Sequence, residues 1–127
     1  AGARACYLTT TNVMPFLDIL KGADIDVLFG VDPIQGGWNL AEAKARCAGS
    51  ICLWGGINGY LQIVDGSRHD VEKAVESAMN VLGRGGGFIM APVDDVRIEP
   101  SDPAPEQTWK RIYENIEHMV QAWRRLR

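Results

Sequence analysis

Apolar residues follow two alternating rhythms along this chain. Short, near-continuous apolar runs occupy residues 5–8, 25–31, 50–54 and 87–93, and each gives way to apolar positions at helical spacing. After the first run, Val13, Phe16, Leu17 and Leu20 predict a helix within 12–20. After the second, Pro33 and Gly36-Gly37 lead into a helix over 40–47, with Asn39 as N-cap and Glu42 as its capping partner. The third run ends at Gly55-Gly56-Ile57-Asn58. Beyond it, Val71, Ala74, Val75, Ala78, Met79 and Leu82 share one face of a long helix, and Ser67 and Asp70 stand in capping-box register. The fourth run is followed by the loop Ser101-Asp102-Pro103-Ala104-Pro105. A last amphipathic helix then carries Trp109, Ile112, Tyr113, Ile116, Met119, Val120 and Trp123. Its aromatic stripe reads as core packing, because a stacking platform for bases comes with basic residues.

Four strand–helix units predict an α/β fold with a parallel sheet, buried on both faces by right-handed crossovers. Residues 1–127 form a single domain, without an internal repeat or a linker. Four βα units are half of a (β/α)8 TIM-type barrel, which needs about 250 residues; a small open sheet of the flavodoxin type is the other arrangement they allow. A half-barrel by itself leaves two strand edges and a concave apolar face uncovered. It therefore predicts a partner, either itself as a homodimer or a complementary half-barrel.

Composition narrows the function classes. The chain carries 13 Lys and Arg against 16 Asp and Glu, a formal net charge of −3, which argues against nucleic acid as a partner. No apolar run approaches the ~18 residues of a membrane span, and the first residues lack a signal-peptide pattern, so a cytoplasmic protein that does not enter a membrane is expected. Cys6, Cys47 and Cys52 are odd in number and lack CxxC spacing, which predicts neither a disulfide framework nor a cysteine zinc site. Cys6 and Cys52 lie in apolar runs and read as small buried hydrophobes. His69 and His118 have no metal-spaced partner and read as surface residues; no metal and no cofactor is expected. The run Gly83-Arg84-Gly85-Gly86-Gly87 precedes a strand, whereas a phosphate cradle follows one; it reads as a helix C-cap and turn. The solvated cations Arg124, Arg125 and Arg127 complement the end of the last helix.

In either architecture, binding sites gather at the C-terminal ends of the parallel strands. That rule selects the Thr9-Thr10-Thr11-Asn12 cluster, Asp32 with Gln35, Asn58 after its glycines, and Asp94-Asp95. A common mouth lined by Thr10, Asn12, Asp32, Asn58, Asp94 and Asp95 would offer hydroxyls, amides and carboxylates to a small-molecule ligand. Neighbouring carboxylates can raise one another's pKa, which suits acid–base chemistry, and Asp94 is the candidate catalytic residue. Alternation along a strand leaves at most one of Asp94 and Asp95 facing the mouth. Adjacent acids are also common in solvated, helix-capping loops, and that second reading stays open. Gly36-Gly37 and Gly55-Gly56 follow apolar runs, where they serve either close ligand approach or a turn.

The segments Asp26-Val27-Leu28 through Asn39-Leu40-Ala41-Glu42-Ala43-Lys44, Leu53-Trp54-Gly55-Gly56-Ile57-Asn58 and Gly85-Gly86-Gly87-Phe88-Ile89-Met90-Ala91-Pro92 resemble, in order and spacing, the C-terminal half of the uroporphyrinogen decarboxylase superfamily. The superfamily includes cobalamin-dependent methyltransferases acting on methylated thiols, amines or aryl ethers. The resemblance covers essentially the whole chain and implies a half-barrel. It implies a decarboxylase or methyltransferase role on a small-molecule, tetrapyrrole or corrinoid-linked substrate, or a non-catalytic half-barrel that self-assembles and binds small molecules. Methyltransferase relatives carry His-x-Cys at the end of the strand that corresponds to the first apolar run here and a Cys after the Ala-Pro segment, all zinc ligands. The matching positions here are Leu8, Thr10 and Asp94, which do not rebuild that site, and the histidine of decarboxylase relatives near Asp94 is missing too.

Overall fold

The computed structural model describes residues 2–127. Strands β1 (Cys6–Leu8), β2 (Val27–Val31), β3 (Cys52–Asn58) and β4 (Phe88–Val93) alternate with helices α1 (Leu17–Gly22), α2 (Leu40–Cys47), α3 (Arg68–Ala78) and α4 (Pro105–Leu126). All neighbouring strands are parallel, in the sheet order β1-β2-β3-β4. Parallel neighbours cannot be joined by a tight hairpin, so each connection crosses over through a helix.

Local sequence sets most helix starts. Ser67 and Asp70 form the complete capping box at α3. At α2 only half of the expected box forms: Asn39 Oδ1 accepts from the Glu42 N–H at 3.1 Å, while the Glu42 carboxylate lies 3.8 Å from Arg46 one turn on. The helix expected within 12–20 opens instead as a 3-10 turn at Met14–Phe16, where Pro15 supplies the fixed φ of a first turn, and becomes α-helical at Leu17. The long helix after Ser67 changes to a π-helical turn over Met79–Gly83, which still buries Leu82.

The row Tyr7, Leu28, Leu53, Phe88 runs straight across the sheet. Leu28 and Leu53 are fully buried there beneath Leu17, Ala43, Cys47 and Leu82. Nearer the strand ends, Ile57 joins Val71, Val75, Ala78, Ile112 and Ala122 in a second core. Asn115 ties α4 to this layer by donating to the carbonyls of Ile63 (3.0 Å) and Gly66 (2.8 Å).

The next row, Leu8, Phe29, Trp54 and Ile89, points to the opposite face. None of its members belongs to either core; Leu8 is 64% and Ile89 42% exposed. Phe29 and Trp54 cover each other edge to face at 5.2 Å. The crossovers therefore do not bury the sheet on both faces, and one face stays uncovered, the arrangement expected of four βα units that do not close a barrel. The helices supply cores to one face and leave the other apolar and open.

Several expectations change for the same reason. Cys6 lies on the uncovered edge strand and is exposed, and Cys52 is only half-buried. Cys47 is the buried cysteine, and burial pushes its thiol pKa up. Trp109 and Tyr113 are 48% and 67% exposed, because α4 turns Thr108, Ile112, Asn115 and Ala122 inward; of the three stripe aromatics only Trp123 packs on a core. Gly55 and Gly56 lie inside β3 rather than in a turn. A Cβ on Gly55 would stand 2.6 Å from the Val31 carbonyl oxygen, and one on Gly56 would stand 3.1 Å from Ala78 and the Phe88 ring. The run 83–87 is the expected turn before β4, pinned by Lys44, whose ammonium donates to the carbonyls of Leu82 and Gly86. Among the described residues, no helix is long and apolar enough to cross a membrane.

The edge strand β1 is tethered by Asp26, whose carboxylate accepts from the Ala5 N–H (2.8 Å) and the Arg4 guanidinium (2.7 Å). The Ala5 N–H first, and then Arg4, hold this carboxyl below its ordinary pKa. The unfolded chain therefore takes up the proton first as pH falls, and the tether's contribution, present above the ordinary Asp value of ~3.9, is lost below it. Urea unfolding of the native chain and of Asp26→Asn should show the native chain ahead at neutral pH. The gap between their midpoints should close as pH falls below about 4.

Candidate functional site

The C-terminal ends of β1, β2 and β4 enclose a cavity of about 370 Å³. Leu8, Phe29 and Val93 give it apolar lining, while Thr9, Thr10, Asp32, Asp94 and Asp95 make its polar rim. β1 and β2 come close at its base because residue 30 is glycine at φ +105°. A Cβ there would fall 1.9 Å from the Thr9 carbonyl oxygen. Thr9 itself is buried and spends its hydroxyl on residue 11, donating to the carbonyl (2.9 Å) and accepting from the N–H (3.1 Å). Thr10 beside it is exposed on the rim.

Asp32 is the most enclosed acid of the site, 6% exposed. One carboxylate oxygen accepts from the Ile34 N–H at 2.8 Å, and the other from the Asn58 amide at 2.8 Å. Among the described residues no basic side chain pairs with it. Its side chain is thus held by neutral donors while lining the cavity.

Asn58, expected at the mouth, does not line this cavity. It is fully buried at the end of β3. Its amide nitrogen donates to Asp32 and to Gln35 Oε1 (2.7 Å), its side-chain oxygen accepts from the Leu61 N–H (2.7 Å), and its backbone N–H donates to Gln62 Oε1 (2.7 Å). It caps the π-helical turn Gly59–Val64 and orients Asp32. Asn12 is likewise committed to structure, donating to the Gly37 carbonyl (3.1 Å) and accepting from the Met14 N–H (2.9 Å). It clasps two loops outside the cavity.

Asp94 and Asp95 both reach the rim, against the expectation that only one could. Asp94 adopts φ +68°, the left-handed region that Asp and Asn tolerate better than most side chains, and this ends the strand alternation. Asp95 pairs with Arg97 at 3.2 Å, and Arg97 also holds Glu99 at 3.2 Å. Arg97 escaped the sequence reading, although Asp95-x-Arg97-x-Glu99 sets opposite charges two residues apart, which places them together in extended chain.

A second, smaller concavity of about 270 Å³ adjoins the first, lined by Gln35, Tyr60, Asp94, Asp95, Arg97 and Glu99. His69 is exposed, and the half-buried His118 encloses its Nδ1 without a partner; both lie away from the mouth. Among the described residues, no three His, Cys, Asp or Glu side chains converge as metal ligands. A concavity of about 500 Å³ at the other end of the sheet is bordered by Arg4, Lys44 and Arg84. There Arg4 is spent on Asp26 and Lys44 on two carbonyls, so that end reads as the structural face of the fold. No protein-family model, curated protein or solved structure matches this chain.

The geometry separates two asparagine-type substitutions. Asn58→Ala strips donors from Asp32 and Gln35 and the cap from Leu61, and should destabilise the chain by about 2–4 kcal/mol in chemical denaturation. Asp94→Asn keeps an αL-tolerant residue at an exposed site and should stay within ~0.5 kcal/mol of the native chain.

Proposed function

We propose that this chain is half of a TIM-type barrel of the uroporphyrinogen decarboxylase-like kind, and that it binds a small organic amine at the mouth formed by its strand ends. The observation that carries the reading is Asp32, a buried carboxylate without a cation, opening onto a cavity that Asp94 and Asp95 also border. A positive charge or N–H donors on the ligand would compensate its charge, and a carboxylate would be repelled. Leu8 and Phe29 favour an apolar or aromatic body behind the amine.

The half-barrel part of the reading is supported by sequential strand order together with an uncovered sheet face. A doubly wound sheet reverses its order and carries helices on both faces. The three positions that match the family's zinc ligands, Leu8, Thr10 and Asp94, border the same cavity. They do not fit zinc: Leu8 has no donor atom, and a hydroxyl with one carboxylate is not a nitrogen–sulfur ligand set. Thiol activation by zinc is therefore not assigned to this chain. Binding is the favoured role, with Asp94 as the carboxylate placed for acid–base contact with a bound molecule. A decarboxylase or methyltransferase role would require further ligands and cations from a complementary half-barrel.

Tryptamine and indole-3-acetate share an aromatic body and differ in the sign of their charge. In nitrogen-15 NMR titrations, tryptamine at low-millimolar concentration should shift the amides of Thr9, Thr10, Asp32, Asp94 and Asp95, and indole-3-acetate should leave them in place. Asp94→Asn should weaken tryptamine binding roughly three- to fivefold, the reach of an exposed charge pair. Stronger binding of the acid, or silence at these amides with both compounds, would overturn the proposal.

A further inference from the structure

We infer that a second copy of this chain covers the open sheet face, packed head to tail about a two-fold axis so that α1 of each copy meets α4 of the other. The inference rests on the half-barrel reading above and names the partner that completes it. Surface area gives the first argument. A compact monomer of 13.9 kDa exposes about 6,700 Å² by size scaling, whereas this chain exposes 7473 Å². The excess is about 800 Å², the surface of a chain less compact than a monomer of its size, and it is of the order that one partner contributes to an interface of standard size.

The second argument is that exposed apolar groups lie on both edges that would meet. Leu8 and Ile89 are exposed on the open row of the sheet, Phe16 and Ile19 (57% and 71% exposed) at one end of the fold, and Trp109 and Tyr113 at the other, while Tyr7, Ile34, Leu61 and Leu126 are exposed elsewhere. α1 follows β1 and α4 follows β4, the two edge strands. Head-to-tail association sets β1 beside the partner's β4 and brings Phe16 and Ile19 against the partner's Trp109 and Tyr113. One chain thus carries both halves of the seam, which is what an isologous pair requires and an unrelated partner would have to supply anew.

The strand edges differ in length by one residue. β1 offers three residues, Cys6–Leu8. In β4, Pro92 has no N–H to donate, so the usable edge is 88–91. Two such seams join two four-stranded sheets into a closed ring and leave no edge for further growth.

Light scattering on the full chain at micromolar concentration should give twice 13.9 kDa. Ile19→Lys and Tyr113→Glu each place a charge on both seams of a self-pair and should each give monomers. Mixing the two variants should restore the dimer, because the mixed pair sets the introduced charges together at one seam and leaves the other seam unaltered. General loosening of the fold would not be repaired by mixing. If far-UV dichroism shows either variant unfolded, Phe16→Lys and Trp109→Glu run the same experiment. A monodisperse species of 13.9 kDa, larger open assemblies, or a dimer indifferent to both substitutions would overturn the inference. Tryptamine titration of the same samples separates the two proposals. A monomer that still binds the amine sinks only the dimer, and a dimer with a silent mouth sinks only the ligand reading.

Discussion

Parallel pairing of consecutive strands is the constraint from which the rest of this structure follows. Each neighbour must be reached by a crossover, and the helices in these crossovers pack on the row that contains Leu28 and Leu53. The opposite row lies outside both cores, with Leu8 and Ile89 exposed and Phe29 and Trp54 half-buried against each other. The same pairing brings all C-terminal strand ends to one side, and so gathers Thr9, Asp32 and Asp94 from segments far apart in sequence around one cavity.

At that mouth the polar groups divide by burial. Asn58 and Asn12 are consumed in holding loops and turns, each with both ends of its amide bonded internally. Asp94, Asp95 and Thr10 remain exposed, and Asp32 stands between these cases, fixed from behind by Asn58 and open in front. Fixing the acid with neutral donors leaves its charge uncancelled, whereas Arg97 partly neutralises Asp95 at the outer rim.

Period and capping made the architecture readable in advance. The four apolar runs became the four strands, and Ser67 with Asp70 marked the start of α3 to the residue. Solvent exposure was less readable, because periodicity reports which residues share a face and is silent on whether that face meets anything. Tyr113 and Leu8 look like core residues by spacing and are exposed because no element of the chain lies over them. For the site, the strand-end rule located Thr10, Asp32, Asp94 and Asp95 at one mouth. It misread Asn58, whose position before Gly59 at the end of an apolar run is also an N-cap position. The glycines 55 and 56 carried the opposite ambiguity, resolved only by the close approach of Val31, Ala78 and Phe88.

The two proposals meet in electrostatics. A two-fold pair closed at both seams would turn the strand ends of both copies toward one opening, and two sets of Asp32, Asp94 and Asp95 would face each other across it. Like charges converging in a partly desolvated space oppose association, while burial of the Leu8, Phe29, Trp54 and Ile89 rows favours it. A cationic ligand at the mouth removes the opposing part without altering the favourable one. By linkage, an amine that binds the paired form more tightly than the separate chains must strengthen pairing by the same factor. In the proposed pair the apolar face would be enough to hold two ligand-free chains together, and an amine at the strand ends would tighten that pairing without being required for it.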